Sequence, residues 1–359
     1  MSEPMNWMIY GANGYTGELV AREAVRKGLA PILAGRNAES VGRLARELGL
    51  QSRAFPLDDP QATAAALYGV KAVLHCAGPF VHTSAPMVAA CLATGAHYLD
   101  ITGEIPVFEA VLARGETARK AGVALLPGVG FDVVPSDCLA ARLARALPDA
   151  TELALALYVG SGGFSRGTLK TMIESLPHAG AIRREGRIVP VPIAWDAREI
   201  DFGGGAGRRW TTTIPWGDVS TAFHSTGIPN IRVYSGTPPR TIRRMKRLAP
   251  LLPLAGWGPV KRFAQRWVER KVTGPSAELR ETGRVHLWGE AKNAAGQTVT
   301  STLETPEGYR FTAIAAVESV ERVLAGKVPP GAWTPSKAFG ADFVTELPGV
   351  VAGEVRPAR

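Results

Sequence analysis

Trp7-Met8-Ile9-Tyr10-Gly11-Ala12-Asn13-Gly14-Tyr15-Thr16-Gly17 is followed by an apolar-periodic run to Gly28 and then by Pro31-Ile32-Leu33-Ala34-Gly35-Arg36. The stretch reads as strand, glycine turn, helix and strand. Gly11, Gly14 and Gly17 let the backbone turn sharply, approach a pyrophosphate and bring a helix close to a sheet. The phosphates then sit on the free N–H groups at the helix start. A glycine triplet alone is a weak signal in a chain with forty glycines. Its place between a strand-like run and a helix is the context the motif requires. Asn13, Tyr15 and Thr16, inside the same turn, join the glycines as expected contacts of the dinucleotide.

The end of the second strand narrows the choice of cofactor. A site that prefers NAD carries an acidic residue there for the ribose 2′-hydroxyl. Here the sequence is Ala34-Gly35-Arg36-Asn37, without a carboxylate. Arg36 offers a guanidinium fork to a 2′-phosphate; the competing reading is a solvated arginine closing a strand. NADP(H) is therefore expected rather than NAD(H).

Beyond Arg36, helices and short apolar strands keep alternating: helix 38–48, strand 53–57, helix 61–68, strand 72–77, helix 85–93, strand 97–101, helix 106–120, strand 123–126 and helix 135–147. This alternation means a Rossmann-type, doubly wound parallel sheet with its ligand-binding rim at the strands' carboxyl ends. That rim holds the glycine turn, Arg36, Asp58, Ala77-Gly78-Pro79-Phe80, residues 100–104 and residues 128–132. Asp58 either meets the adenine edge or serves the turn before Pro60. Ala77, Gly78, Pro79 and Phe80 allow close backbone approach to the nicotinamide ribose, or form a turn without a ligand.

After residue 150 the pattern changes to short strands among Gly, Pro, Trp and Thr, with antiparallel strands expected over 277–287 and 298–303. The expected organisation is an NADP-binding Rossmann domain over 1–135 and an α+β substrate domain with a mostly antiparallel sheet over 136–335. A closing segment over 336–359 is expected to return to the first domain.

The 359 residues, 46% hydrophobic and 20% charged, describe an ordinary globular protein. Cys76, Cys91 and Cys138 show neither metal spacing nor a disulfide framework, and no metal is expected. No signal-peptide pattern precedes the first strand, so the expected location is the cytoplasm, with the inner membrane face as a peripheral alternative. The net charge of +9 is uneven: residues 183–271 hold seventeen basic and six acidic residues and five of the eight tryptophans. Within it an uncharged, proline-broken run over 248–260 is too short to span a bilayer and lies between Arg243-Arg244-Met245-Lys246-Arg247 and Lys261-Arg262. Residues 243–267 read either as a peripheral membrane contact or as a basic loop packed on its own domain. Nucleic acid is set aside as a partner, because the glycine site already accounts for the fold. The assembly is left open, a homodimer included.

Several stretches together resemble the saccharopine dehydrogenase-like family: residues 11–17, Ala34-Gly35-Arg36-Asn37, Cys76-Ala77-Gly78-Pro79-Phe80, Tyr98-Leu99-Asp100-Ile101-Thr102-Gly103-Glu104 and Gly130-Phe131-Asp132-Val133-Val134-Pro135-Ser136-Asp137. The trans-acting enoyl reductase branch, with its later Gly167-Thr168 and Thr305-Pro306-Glu307-Gly308-Tyr309, is a nearer likeness than the lysine-pathway enzymes. The resemblance covers nearly the whole length. It implies a Rossmann domain holding NADPH and a second domain closing over the cleft. By the same resemblance the glycine turn holds the pyrophosphate, Arg36 the 2′-phosphate and residues 77–80 the nicotinamide side. Residues 100–104 and 130–132 then floor the substrate cleft.

The expected chemistry is hydride transfer to or from a C=C or C=O of an acyl or polyketide-type lipid. The resulting enolate or alkoxide needs a donor within reach. Candidates are Tyr98, Asp100, Glu104, Asp132, Ser165, Thr168 and His178, with capping roles as the alternative for several of them. His75, inside an apolar strand, reads as a core histidine. No tyrosine–lysine pair stands at one-turn spacing. The alternatives are a saccharopine-type amino-acid oxidoreductase, for which no set of carboxylate-gripping residues can be placed, and a non-catalytic NADP(H)-binding sensor or scaffold at a membrane surface.

Overall fold

The computed structural model describes residues 6–160, 165–175, 180–252, 257–272 and 274–358. The chain divides into two compact units, one of residues 1–134 and 309–339, the other of residues 135–308 and 340–359.

The first unit is built on strands β1 (Trp7–Tyr10), β2 (Ile32–Gly35), β3 (Ser52–Ala54), β4 (Ala72–His75), β5 (His97–Asp100) and β6 (Ala124–Leu126), with Gly331–Ala332 added at the β6 edge. Their order across the sheet is 331–332, β6, β5, β4, β1, β2, β3, all parallel. The strand order reverses at β1, so the crevice for a ligand opens at that strand's carboxyl end. Successive residues of β1 point to opposite faces. Trp7 and Ile9 join Leu33, Leu74 and Leu99 under helices α1 (Tyr15–Arg26) and α2 (Ala38–Leu48). Met8 and Tyr10 join Val73, Tyr98 and Leu125 under α4 (Phe80–Thr94), which follows the short helix α3 (Pro60–Ala66).

The expected single helix over 106–120 is two, α5 (Ile105–Leu112) and α6 (Gly115–Ala121). Gly115 opens the second where the backbone passes Ala332.

The alanine-rich helix Gly308–Leu324, expected in the second domain, lies almost wholly in the first unit. Its Ala313, Ala316, Val317 and Val320 complete the core on the α1 face, and Glu318 and Glu321 both pair with Lys27.

The second unit is a ten-stranded sheet centred on Ala150–Val159. That strand runs parallel to Asn230–Gly236 on one side and antiparallel to Arg284–Asn293 on the other; the remaining pairs are antiparallel. The strand expected over 277–287 starts only at Arg284. Ala277–Thr282 is a short helix capped by the Ser276 hydroxyl, which accepts from Leu279 N at 3.3 Å. Of the closing segment expected over 336–359, only residues 336–339 belong to the first unit; residues 340–359 belong to the second. Val351–Ala352 and Arg356–Pro357 both pair with the strand Thr298–Pro306, whose edge is otherwise open to them.

A Cβ on Gly17 would lie 2.2 Å from the Gly11 carbonyl oxygen, whereas one on Gly42, inside α2, would meet nothing within 4 Å. Gly17→Ala is expected to destabilise the fold by about 1–3 kcal/mol. Gly42→Ala is expected to stabilise it by about 0.5–1 kcal/mol. Denaturant midpoints of the two variants moving in the same direction would contradict this packing of α1.

Candidate functional site

β1 ends at Tyr10 and the chain turns at Gly11, whose φ is +84° and whose amide donates to the Ala34 carbonyl at 2.8 Å. A Cβ there would sit 2.8 Å from Ala77, so position 11 excludes a side chain by conformation and by space. Gly14 donates to the Gly11 carbonyl at 3.0 Å and is the N-cap of α1, where no side chain caps the helix. A helix end without a side-chain cap suits an anion, helped by the helix dipole. Thr16 and Gly17 stand in this turn. The Tyr15 ring meets Tyr309 edge-on, with centroids 5.0 Å apart. Asn13 reaches sideways: its Nδ2 donates to Ser40 Oγ at 3.0 Å, and its Oδ1 lies 2.9 Å from where a Cβ on Gly35 would be. It therefore ties the turn to the start of α2, which is itself capped by Asn37.

Arg36 is exposed immediately past β2 and makes no ion pair among the described residues. Tyr10 donates its hydroxyl to the Phe55 carbonyl at 3.0 Å. Burial pushes the Tyr10 pKa up to about 12, Arg36 working against the shift and Asp58 with it, which sets both charges near the end of β1. Asp58 is exposed. The capping role open to it belongs to its neighbour, since Asp59 Oδ1 accepts from Gln61 N and Ala62 N. The uncapped turn and the free guanidinium fit a dinucleotide bearing a 2′-phosphate.

Ala77, Gly78, Pro79 and Phe80 carry the chain from β4 into α4, which begins five residues earlier than the sequence pattern suggests. The reason is a cap supplied from elsewhere: Glu104 Oε1 and Oε2 accept from Phe80 N and Val81 N, each at 2.8 Å. A carboxylate on the first amides of a helix is held by hydrogen bonds and by the helix dipole. Glu104 therefore caps α4, a structural role beside the catalytic one expected of it.

Tyr98 and Asp100, also expected as catalytic, are likewise engaged in hydrogen bonds. Both are fully buried. The Tyr98 hydroxyl donates to Asp100 Oδ2 at 2.7 Å, while Asp100 Oδ1 accepts from Thr102 N at 2.9 Å and Gly128 N at 2.8 Å. Burial raises the Asp100 pKa to about 6, against the pull of Tyr98 and the two amides. This network stitches the loop after β5 to the loop after β6, and its members are spent on one another. Neither Thr102, as the partner, nor Gly128 was legible in the sequence, because their partners lie on another loop or come from the backbone.

Ser165 and Thr168 belong to the second unit. Ser165 Oγ accepts from Thr168 N at 3.2 Å and lies 3.1 Å from Thr168 Oγ1, which caps the helix Arg166–Ser175. His178 lies outside the described residues. His75 is a buried core histidine, as its apolar strand implies: its Nε2 lies 3.0 Å from Thr83 Oγ1, and burial drops its pKa to about 3.

Asp132 differs from all of these. It follows β6 on a tight loop closed by Val133 N to the Gly128 carbonyl and by Val134 N to the Gly130 carbonyl. The next residue back, Phe131, donates its amide to Thr312 Oγ1 at 3.0 Å and packs its ring edge-on against Phe311. A Cβ on Gly103 would lie 2.3 Å from Asp132 Oδ2, so the carboxyl lies directly over that glycine. Its Oδ1 is enclosed without a hydrogen-bond partner among the described residues. Burial alone pushes its pKa up to about 7. Tyr309, Phe311 and Thr312, all on the returning helix, were missed as site-supporting residues. Local pattern marks that helix as apolar but not which sheet it joins.

Comparison with known proteins agrees with this geometry. The family model of the saccharopine dehydrogenase NADP binding domain matches residues 7–126. Over those residues the chain resembles that family. A solved saccharopine dehydrogenase (L-Glu forming) of Saccharomyces cerevisiae superposes with a TM-score of 0.67 over 99% of this chain and 100% of that one, at 12% identity, which shows a shared fold. A protein of Mycobacterium leprae called trans-acting enoyl reductase is 33% identical over 146 residues, 38% of this chain and 35% of that protein. A trans-acting enoyl reductase of Mycobacterium bovis is 25% identical across 97% of both chains. The matches of higher identity span less than half the length of those curated relatives. Residues 7–126 therefore form an NADP-binding domain like that of this oxidoreductase family. Among the described residues no helix is long and apolar enough to cross a membrane.

Replacing Arg36 with alanine is expected to weaken NADPH binding by about 1.5–3 kcal/mol, the loss of a charged hydrogen bond, with little change for NADH. Calorimetry showing equal losses for both cofactors would remove Arg36 from the 2′-phosphate.

Proposed function

We propose that the chain is an NADPH-dependent reductase acting on a polarised C=C or C=O of an acyl or polyketide-type substrate. The support is twofold: relatives bearing the name trans-acting enoyl reductase, and the Asp132 carboxyl at the rim of the nucleotide-binding sheet, which carries the reading. NADPH supplies the hydride. The glycine turn and Arg36 hold the dinucleotide by its phosphates. Hydride addition to an enoyl group leaves an enolate, and the product forms only when a proton reaches the α-carbon. Asp132, its pKa lifted to about 7 by burial, still holds such a proton in part of the molecules at neutral pH and becomes a carboxylate on giving it up. Water restores the proton before the next turnover.

The sign of the pH dependence follows. Reductase activity is expected to fall as pH rises through about 7, the value to which burial lifts Asp132. Asp132→Asn should lower kcat by roughly 100-fold and flatten that limb. In the folded state Asp132 keeps its proton at pH values where the unfolded chain has lost it, so it makes stability decline from the ordinary carboxylate range up to about pH 7. The same Asp132→Asn substitution should remove that decline, as read by thermal unfolding at several pH values. Loss of the reduced-nicotinamide absorbance with enoyl or keto acyl thioesters is the assay. Tight NADPH binding with no turnover across such a panel would overturn the reading in favour of a non-catalytic dinucleotide-binding protein.

A further inference from the structure

The second unit carries an exposed apolar helix face bordered by cations. On the helix Gly258–Lys271, Val260, Phe263 and Trp267 follow i, i+3, i+7 spacing and so share one face. They are 42%, 73% and 54% exposed, and Trp257, at the N-cap, is 65% exposed. The inward side of the same helix is marked by Val268, only 3% exposed. A helix that buries one face and leaves three large apolar side chains on another in water has a second surface to cover.

The surrounding charge says what covers it. From residue 239 to 271 the chain has ten basic residues and one acidic residue. Arg262, Arg266 and Arg270 are exposed on the helix itself, and Arg243, Arg244 and Arg247 on the neighbouring helix in sequence, Pro239–Leu248. An acidic protein partner would match the charge, but it does not explain Phe263 and Trp267 standing clear at the surface. Aromatic side chains at headgroup depth, with arginines at the phosphates, match both features. We infer that the helix Gly258–Lys271 lies in the plane of an anionic lipid surface, with Val260, Phe263 and Trp267 inserted and the flanking arginines on the headgroup phosphates. This requires no spanning segment, and it stands independently of the substrate assigned above.

The test is flotation of the full chain with phosphatidylcholine vesicles, with and without phosphatidylglycerol. The parent protein is expected to float with the anionic vesicles only. Phe263→Ser/Trp267→Ser and, separately, Arg262→Glu/Arg266→Glu should each weaken partitioning by about tenfold or more, with thermal unfolding and NADPH binding unchanged because these side chains are exposed. No flotation of the parent, or flotation that both double variants retain, overturns the inference. So does a parent that fails to float and sediments as a dimer that Phe263→Ser/Trp267→Ser dissolves, since a second copy then covers the face. None of these results bears on turnover, so the reductase reading is tested separately.

Discussion

The first unit depends on one close approach: α1 meets the end of β1 so tightly that a single methyl group on Gly17 would occupy the space of the Gly11 carbonyl oxygen. That contact sets the helix N-terminus at the point where the sheet reverses its strand order. The uncapped amides and the dipole of α1 then face the crevice in which open parallel sheets take their ligands. Gly11, held in a left-handed conformation against Ala77, lets the neighbouring rim loop come equally near. Backbone packing alone thus requires glycine at these positions.

Buried polar groups along the rim divide into two kinds. Tyr98, Asp100, Thr102 and Glu104 exchange hydrogen bonds with one another and with the amides of Gly128, Phe80 and Val81. Burial of such groups is tolerable because each is satisfied, and together they hold the loops after β4, β5 and β6 in register. Asp132 is the exception, enclosed at Oδ1 and unpaired there among the described residues. Asp132 is half-buried as a residue, and an enclosed, unpaired carboxyl oxygen favours the protonated form. Four of the rim's acidic and hydroxyl groups are thus satisfied by hydrogen bonds, and Asp132 alone of the five has an oxygen without a partner among the described residues.

The parallel sheet, the glycine turn and the cofactor were legible because each rests on local spacing: apolar strands of about five residues, helices between them, and three glycines within seven positions. The catalytic candidates were less legible. Glu104 and Asp100 stand at the rim as expected, yet their roles are set by amides of Phe80, Val81 and Gly128, which sequence distance hides. Thr168 sits beside its partner Ser165, and a serine three residues before a threonine at a helix start already reads as a cap.

By itself the sequence determined the Rossmann architecture, an NADP-binding first domain and the mostly antiparallel second sheet. Those features follow from periodicity and from residues adjacent along the chain. Only the tertiary structure decided that the helix Gly308–Leu324 closes the first unit's core while the last twenty residues edge the second sheet. An apolar helix face or a short strand carries no address for its partner. Its place is chosen by which exposed core face or open strand edge remains to be covered once the rest has folded.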